Sequence, residues 1–239
     1  MHETTFLTKR PLLRIGSIIF LTGLVIFIIS SAFHAGREDP TNHLRVFTEY
    51  ANSPTWIAAH IGQFVGDILI FAGGFVALFR LLVQSESMTV SGLAWIGFAV
   101  AIIAASTLSI LQAVDGIALK RVVDSWTVAP AQEKMAAFRV AEGIRWTEIG
   151  TNSIYRILQG TVAIVFGVAI TLKHIVGRWI GAAGIFAGVL TIAAGVEVAY
   201  VGFASVNTGL GLYSKIIYYI WIAILGAFMW RKTMSNKLS

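Results

Sequence analysis

Residues 55–74 read TWIAAHIGQFVGDILIFAGG, a run apolar enough to enter a bilayer that nonetheless carries His60, Gln63 and Asp67. The run continues to Leu82, and at 1.5 Å per helical residue it is long enough to cross a hydrocarbon core about 30 Å thick. Five other stretches read the same way, so the spans fall at Leu12–Phe33, Trp56–Leu82, Gly92–Leu119, Ile149–Leu172, Trp179–Phe203 and Ile216–Trp230. Of the 239 residues, 56% are hydrophobic and only 13% charged, against about 25% charged in soluble domains. Mean hydropathy is +0.77. These features predict an all-α integral membrane bundle of six helices, a single domain over residues 1–239.

The first span has the marks of a secretory signal as well, with Lys9, Arg10 and Arg14 before it and Ser30-Ser31-Ala32 at its end. Its apolar run exceeds the usual length of a signal core, which favours a retained span. Lys and Arg near the span ends set orientation. With the N-terminus inside, the inner side holds Lys9, Arg10, Arg14, Arg80, Lys173, Arg178, Arg231, Lys232 and Lys237. The outer side has nearly as many, mostly within one long loop, so the expected topology is N-in, C-in. The inner links are then short, and the outer links His34–Thr55 and Lys120–Glu148 are long. TNHLRVFTEYA spaces Leu44, Phe47 and Tyr50 helically behind an Asn/Thr cap, and APAQEKMAAFRVAEGIRW starts a helix near Pro130 with Met135, Phe138 and Ile144 along one side. Both are expected to extend the following spans or to cap the bundle in the interface. LAWIG and GRWIG repeat Trp-Ile-Gly at Trp95 and Trp179, an echo that fits either a duplicated helical hairpin or two interfacial Trp anchors.

A net charge of +6 and a pI near 9.8 could mark a nucleic-acid protein, but the cations sit at span ends, where lipid headgroups want them. No nucleic acid is expected. With no cysteine in the chain, disulfides, thiol catalysis and thiolate metal sites are excluded.

Ionisable groups at membrane depth are costly unless paired or wet, so each one asks for a reason. His60, Gln63 and Asp67 stand at i, i+3 and i+7 on one helical face, with Asp67 roughly 16 Å along the helix from Trp56. The third span carries Gln112 and Asp115 late, and the fourth carries the stripe Glu148, Asn152, Arg156, Gln159. The fifth is apolar until Glu197. Under the N-in topology all of these lie in the outer half. Four helices placing polar groups at one level predict a shared outward-facing cavity formed by His60, Gln63, Asp67, Gln112, Asp115, Asn152, Arg156, Gln159 and Glu197. The alternative is structural glue, with Arg156 paired to Asp67 or Glu197 and the amides satisfying one another. Gly62 with Gly66, and Gly181, Gly184, Gly188 and Gly195, read as ordinary close-packing seams.

The chemistry these residues could do is limited. A metal, if one is present, would have to use His60, Asp67, Asp115 and Glu197, but His60 and Asp67 are two turns apart and no HExxH motif occurs. Haem lacks paired axial histidines, and GxSxG and Walker motifs are absent. No cofactor is favoured. A membrane-embedded enzyme using His60 with Asp67 or Glu197 is one reading. The better-fitting one is binding or transport of a small solute, ion or lipid-like ligand, with Asp67 titrating beside Arg156. Six helices are few for a single-chain carrier, so a homo-oligomer is among the readings, as is an accessory subunit. HIGQFVGDILIFAGGFVALFRLL, RWIGAAGIFAG and YYIWIAILGAFMWRK resemble the uncharacterised six-helix bacterial membrane proteins grouped as domains of unknown function. That resemblance implies a multi-pass protein of a prokaryotic cytoplasmic membrane and no particular activity.

Overall fold

The computed structural model describes residues 9–34, 40–173, 177–205 and 209–234. The side chains of Lys9 and Arg10, and Lys237, fall outside this set. Seven helices make up the described chain, and no strand occurs among the described residues. They are α1 (Lys9–Ala32), α2 (His43–Ala51), α3 (Trp56–Val83), α4 (Met88–Val128), α5 (Lys134–Lys173), α6 (Arg178–Val201) and α7 (Gly209–Met234). All but the short α2 are long and apolar enough to cross a membrane. The six long helices run up and down, and α2 lies over one end.

Two boundaries differ from the sequence reading. The expected loop 120–148 is almost entirely helical, because α4 continues to Val128 and α5 begins at Lys134 after a turn at Pro130–Glu133. Lys120 and Asp124 pair at i,i+4 on this extension, which lets a polar sequence stay helical beyond the apolar run. The second expected helix does extend the following span, as α5, while α2 is a separate cap. Asn42 caps α2, its Oδ1 accepting from the Arg45 amide at 3.2 Å. The α2 face is Val46, Phe47 and Tyr50, packed with Trp56, Leu119, Val123, Trp126 and Ala141, while Leu44 is exposed. On α5, Phe138 and Ile144 join this cluster and Met135 points out.

Small residues decide how closely the long helices approach. On α5 and α6, a Cβ added to Gly160 or to Gly188 would lie 2.5 Å from the other's carbonyl oxygen, so only glycine permits this contact. Ser153 Oγ donates across the same seam to the Gly195 carbonyl at 2.9 Å. Gly66 of α3 is used likewise against Gly23 of α1, and Ser17 Oγ of α1 donates to the Gly226 carbonyl of α7 at 2.7 Å. Where lipid tails offer apolar contact as good as another helix does, such backbone proximity and polar pairing carry association.

The half of the bundle away from α2 is filled by Phe20, Phe71, Phe75, Leu78, Phe166 and Trp221, with Phe75 stacked on Phe166 at 5.1 Å. Large apolar residues such as Ile15, Val25, Ile102, Phe186 and Ile220 face outward around the bundle, a belt that water would not tolerate. Trp95 and Trp179 both stand half-exposed beside phenylalanines.

Two single turns of π-helix interrupt the long helices, at Leu69–Phe75 in α3 and Ala113–Leu119 in α4. Such widened turns re-aim neighbouring side chains and cluster at functional sites. Here one begins two residues after Asp67 and the other contains Asp115.

Candidate functional site

A cavity of about 590 Å³ lies in the half of the bundle beneath α2, bounded by α1, α2, α3, α4, α5 and α7 with one contribution from α6. Seven of the nine residues expected from sequence line it, namely Gln63, Asp67, Gln112, Asp115, Asn152, Arg156 and Gln159. His60 stands behind the wall, 1% exposed, and reaches the cavity only through Asp115. Glu197 lies off the lining, and its Oε2 is buried without a hydrogen-bond partner among the described residues.

His60 is held from both sides. Its Nδ1 is 2.8 Å from the Trp56 carbonyl and its Nε2 is 2.9 Å from Asp115 Oδ2. A carbonyl can only accept, so Nδ1 carries the hydrogen. A single proton then lies between Nε2 and the carboxylate. The ring packs against Trp56 and His34, and Gly116 provides the space, since a Cβ there would collide with the His60 side chain. Both ring nitrogens are engaged, so neither is open to a substrate.

Asp67 is 2% exposed and accepts from two phenols, Tyr219 at 2.8 Å and Tyr155 at 3.2 Å. Gln159 Nε2 donates to the Tyr155 oxygen at 3.2 Å. Pairing with Arg156, one form of the structural-glue reading, does not occur. The Arg156 Nε donates to Asn152 Oδ1 at 2.9 Å, and one terminal nitrogen approaches the Gly211 carbonyl at 3.5 Å. No carboxylate lies within ion-pair distance of Arg156 among the described residues, Glu197 included. Its i−4 neighbour was nearer to hand than an acid on another helix.

The four residues named as a conditional metal set do not converge. Asp67 belongs to its two tyrosines, His60 to Asp115, and Glu197 stands apart. Among the described residues no three His, Cys, Asp or Glu side chains could hold a metal ion. His60 does not meet Asp67 or Glu197, the carboxylates named beside it in the enzyme reading; its carboxylate partner is Asp115.

Sequence reasoning left out a buried ion pair at the top of the cavity. Arg145 and Glu148 are each 3% exposed. One terminal nitrogen of Arg145 bonds both carboxylate oxygens, at 2.7 and 2.9 Å, and the Tyr50 oxygen at 2.8 Å. The guanidinium also lies over the Phe203 ring at 4.6 Å, a cation–π contact. Burial pushes the Tyr50 phenol above its ordinary range, so it keeps its proton. Arg145 extends the Glu148, Asn152, Arg156, Gln159 stripe one turn back, and that spacing could have found it. Tyr155, Tyr219 and Lys215 gave no such signal, since a tyrosine in an apolar span reads as an aromatic and Lys215 as an end anchor.

The cavity walls are apolar, with Leu24, Phe27, Leu108, Leu111 and Leu212 among them. Below Asp67 the bundle closes into the phenylalanine core, so polar lining does not continue to the far end. No protein-family model, curated protein or solved structure matches the chain.

Proposed function

We propose that this protein is a multi-pass protein of a prokaryotic cytoplasmic membrane, N-in and C-in, whose cavity faces outward and binds or transports a small solute, ion or lipid-like molecule. The observation that carries this reading is one roomy cavity combining apolar walls with polar groups from six helices and the cap, the composition of small-molecule sites generally. Arg14, Arg80, Lys173, Arg178, Arg231 and Lys232 lie at the end away from α2, which supports a cytoplasmic placement of that end. The apolar floor favours binding, sensing or delivery from one side over conduction through the bundle. Kinship with the six-helix bacterial membrane proteins named above is part of the same proposal.

The test uses a neutral naphthylamine dye and the protein in nanodiscs of uncharged lipid, read by energy transfer from tryptophan. Leu108 and Leu111 are buried wall residues. Leu111→Trp, or Leu108→Trp if the first fails to fold, should fill the space and abolish the saturable signal. Dye uptake that is non-saturable, or equal in the folded Trp variants, would remove the ligand-site reading.

A further inference from the structure

The charges around the cavity are unequally satisfied. Asp67 receives two tyrosine hydroxyls, Asp115 has His60 on one oxygen, and Glu148 has Arg145, while the other Asp115 oxygen and Glu49 Oε1 accept no hydrogen bond from the described residues. Arg156 is different. Its side chain is nine-tenths buried and lines the cavity, yet its charge meets only the Asn152 amide oxygen and a backbone carbonyl. Its second terminal nitrogen, Nη2, donates to none of the described residues. Glu197 faces it from α6 beyond ion-pair distance.

That carbonyl belongs to Gly211, in the first turn of α7. A helix N-terminus carries partial positive charge and amide hydrogens that have no intrahelical partners. Lys215, one turn on, also lines the cavity, its ammonium 5.2 Å from the Phe27 ring centroid. A guanidinium and an ammonium thus line one low-dielectric space, with the guanidinium against the first turn of a helix. An anion placed there would meet the unmatched charge of Arg156 and take charge-assisted hydrogen bonds from it, with the Lys215 ammonium, which also acts on Asp67, in the same wall.

Beside this cluster the wall is apolar and reaches the outer surface. Ile28 of α1 and Ile216 and Ile220 of α7 line the cavity and are 56%, 46% and 52% exposed. At the other end these two helices are closed tightly by Gly16, Ser17 and Gly226.

We infer that the occupant is an amphipathic anion, its carboxylate or phosphate held by Arg156, Lys215 and the first turn of α7, its apolar chain leaving between α1 and α7 along Ile28, Ile216 and Ile220. This rests on the cavity being a ligand site, and it adds the class of ligand and its route from the outer leaflet.

The full chain in nanodiscs of uncharged lipid is titrated with a spin-labelled long-chain fatty acid, the matched primary alcohol, the matched trimethylammonium compound and inorganic phosphate. The acid should bind about tenfold or more tighter than the alcohol, the strength expected of one charge-assisted contact in a dry site. Arg156→Gln should bring the acid down to the level of the alcohol, and Arg156→Lys should restore part of the difference. Phosphate should compete only weakly. If the Arg156 variants do not fold, the acid-to-alcohol ratio on the unaltered protein and on Lys215→Gln decides the matter. Equal binding of acid and alcohol, or tighter binding of the ammonium compound, would overturn the anionic head while leaving the cavity reading intact. Phosphate displacing the label as well as the acid does would overturn the lipid-like chain in favour of a small free anion. Failure of every amphiphile, with the neutral dye also excluded, would take down the cavity reading itself.

Discussion

Replacing Arg145 by Met should strand a carboxylate in the driest part of the cap. Glu148 is 3% exposed and both its oxygens are bonded by Arg145 alone, at 2.7 and 2.9 Å. Removing one member of a buried ion pair costs about 3–5 kcal/mol, because the survivor keeps its desolvation penalty without its partner. Loss of the Tyr50 bond and of the Phe203 cation–π contact at 4.6 Å acts in the same direction. At roughly 2–4 °C per kcal/mol for a chain of this size, unfolding in detergent should fall by about 6–20 °C. Arg145→Met/Glu148→Leu should recover most of this, since two apolar side chains of similar volume leave no orphan charge. The assay is a double-mutant cycle by thermal unfolding, with scan rate and detergent held constant. A single-variant loss under about 1 kcal/mol, together with additive effects in the double variant, would refute the claim that the pair is buried and coupled.

Two further outcomes test the site's packing and its placement in a membrane. Gly116→Ala puts a methyl into the stem of the His60 side chain, which cannot rotate away. It should lower stability by about 1–3 kcal/mol, whereas Gly92→Ala, with nothing within 4 Å, should be neutral or slightly stabilising in the same unfolding assay. Because the chain has no cysteine, single cysteines report topology cleanly. Ala131→Cys, in the exposed link between α4 and α5, should react with an impermeant maleimide on intact cells, and Glu86→Cys, between α3 and α4, only after lysis. The reverse pattern would invert the orientation.

The spans were legible because a run of apolar residues has one physical meaning at that length, and each observed helix overlaps its expected span. The ends were less so. A polar stretch such as KRVVDSW carries no hydropathy signal, and only its i,i+4 pairing and its docking against α2 and α5 keep it helical. Of the nine positions named from shared depth and helical face, seven line the cavity and His60 and Glu197 do not. The position of Glu197 off the lining depends on the rotation of α6. Rotation is fixed by the Gly160–Gly188 contact, and a nearly uniform apolar helix does not reveal which face will meet a neighbour.

Pairing was the other thing hidden. Most of the site's acids and bases, though not Arg145 or Lys215, could be named from the sequence, but their partners are set by distances of a few tenths of an ångström between different helices. The two π turns, which no residue pattern announced, begin two residues after Asp67 and enclose Asp115. The sequence by itself determined six apolar helices and the level at which their polar groups would gather, because lipid selects for length and punishes charge. Only the tertiary structure decided that Asp67 is held by two tyrosines and Glu148 by Arg145 while Arg156 meets no carboxylate among the described residues, because a charge's surplus or neutrality is a property of what surrounds it in space.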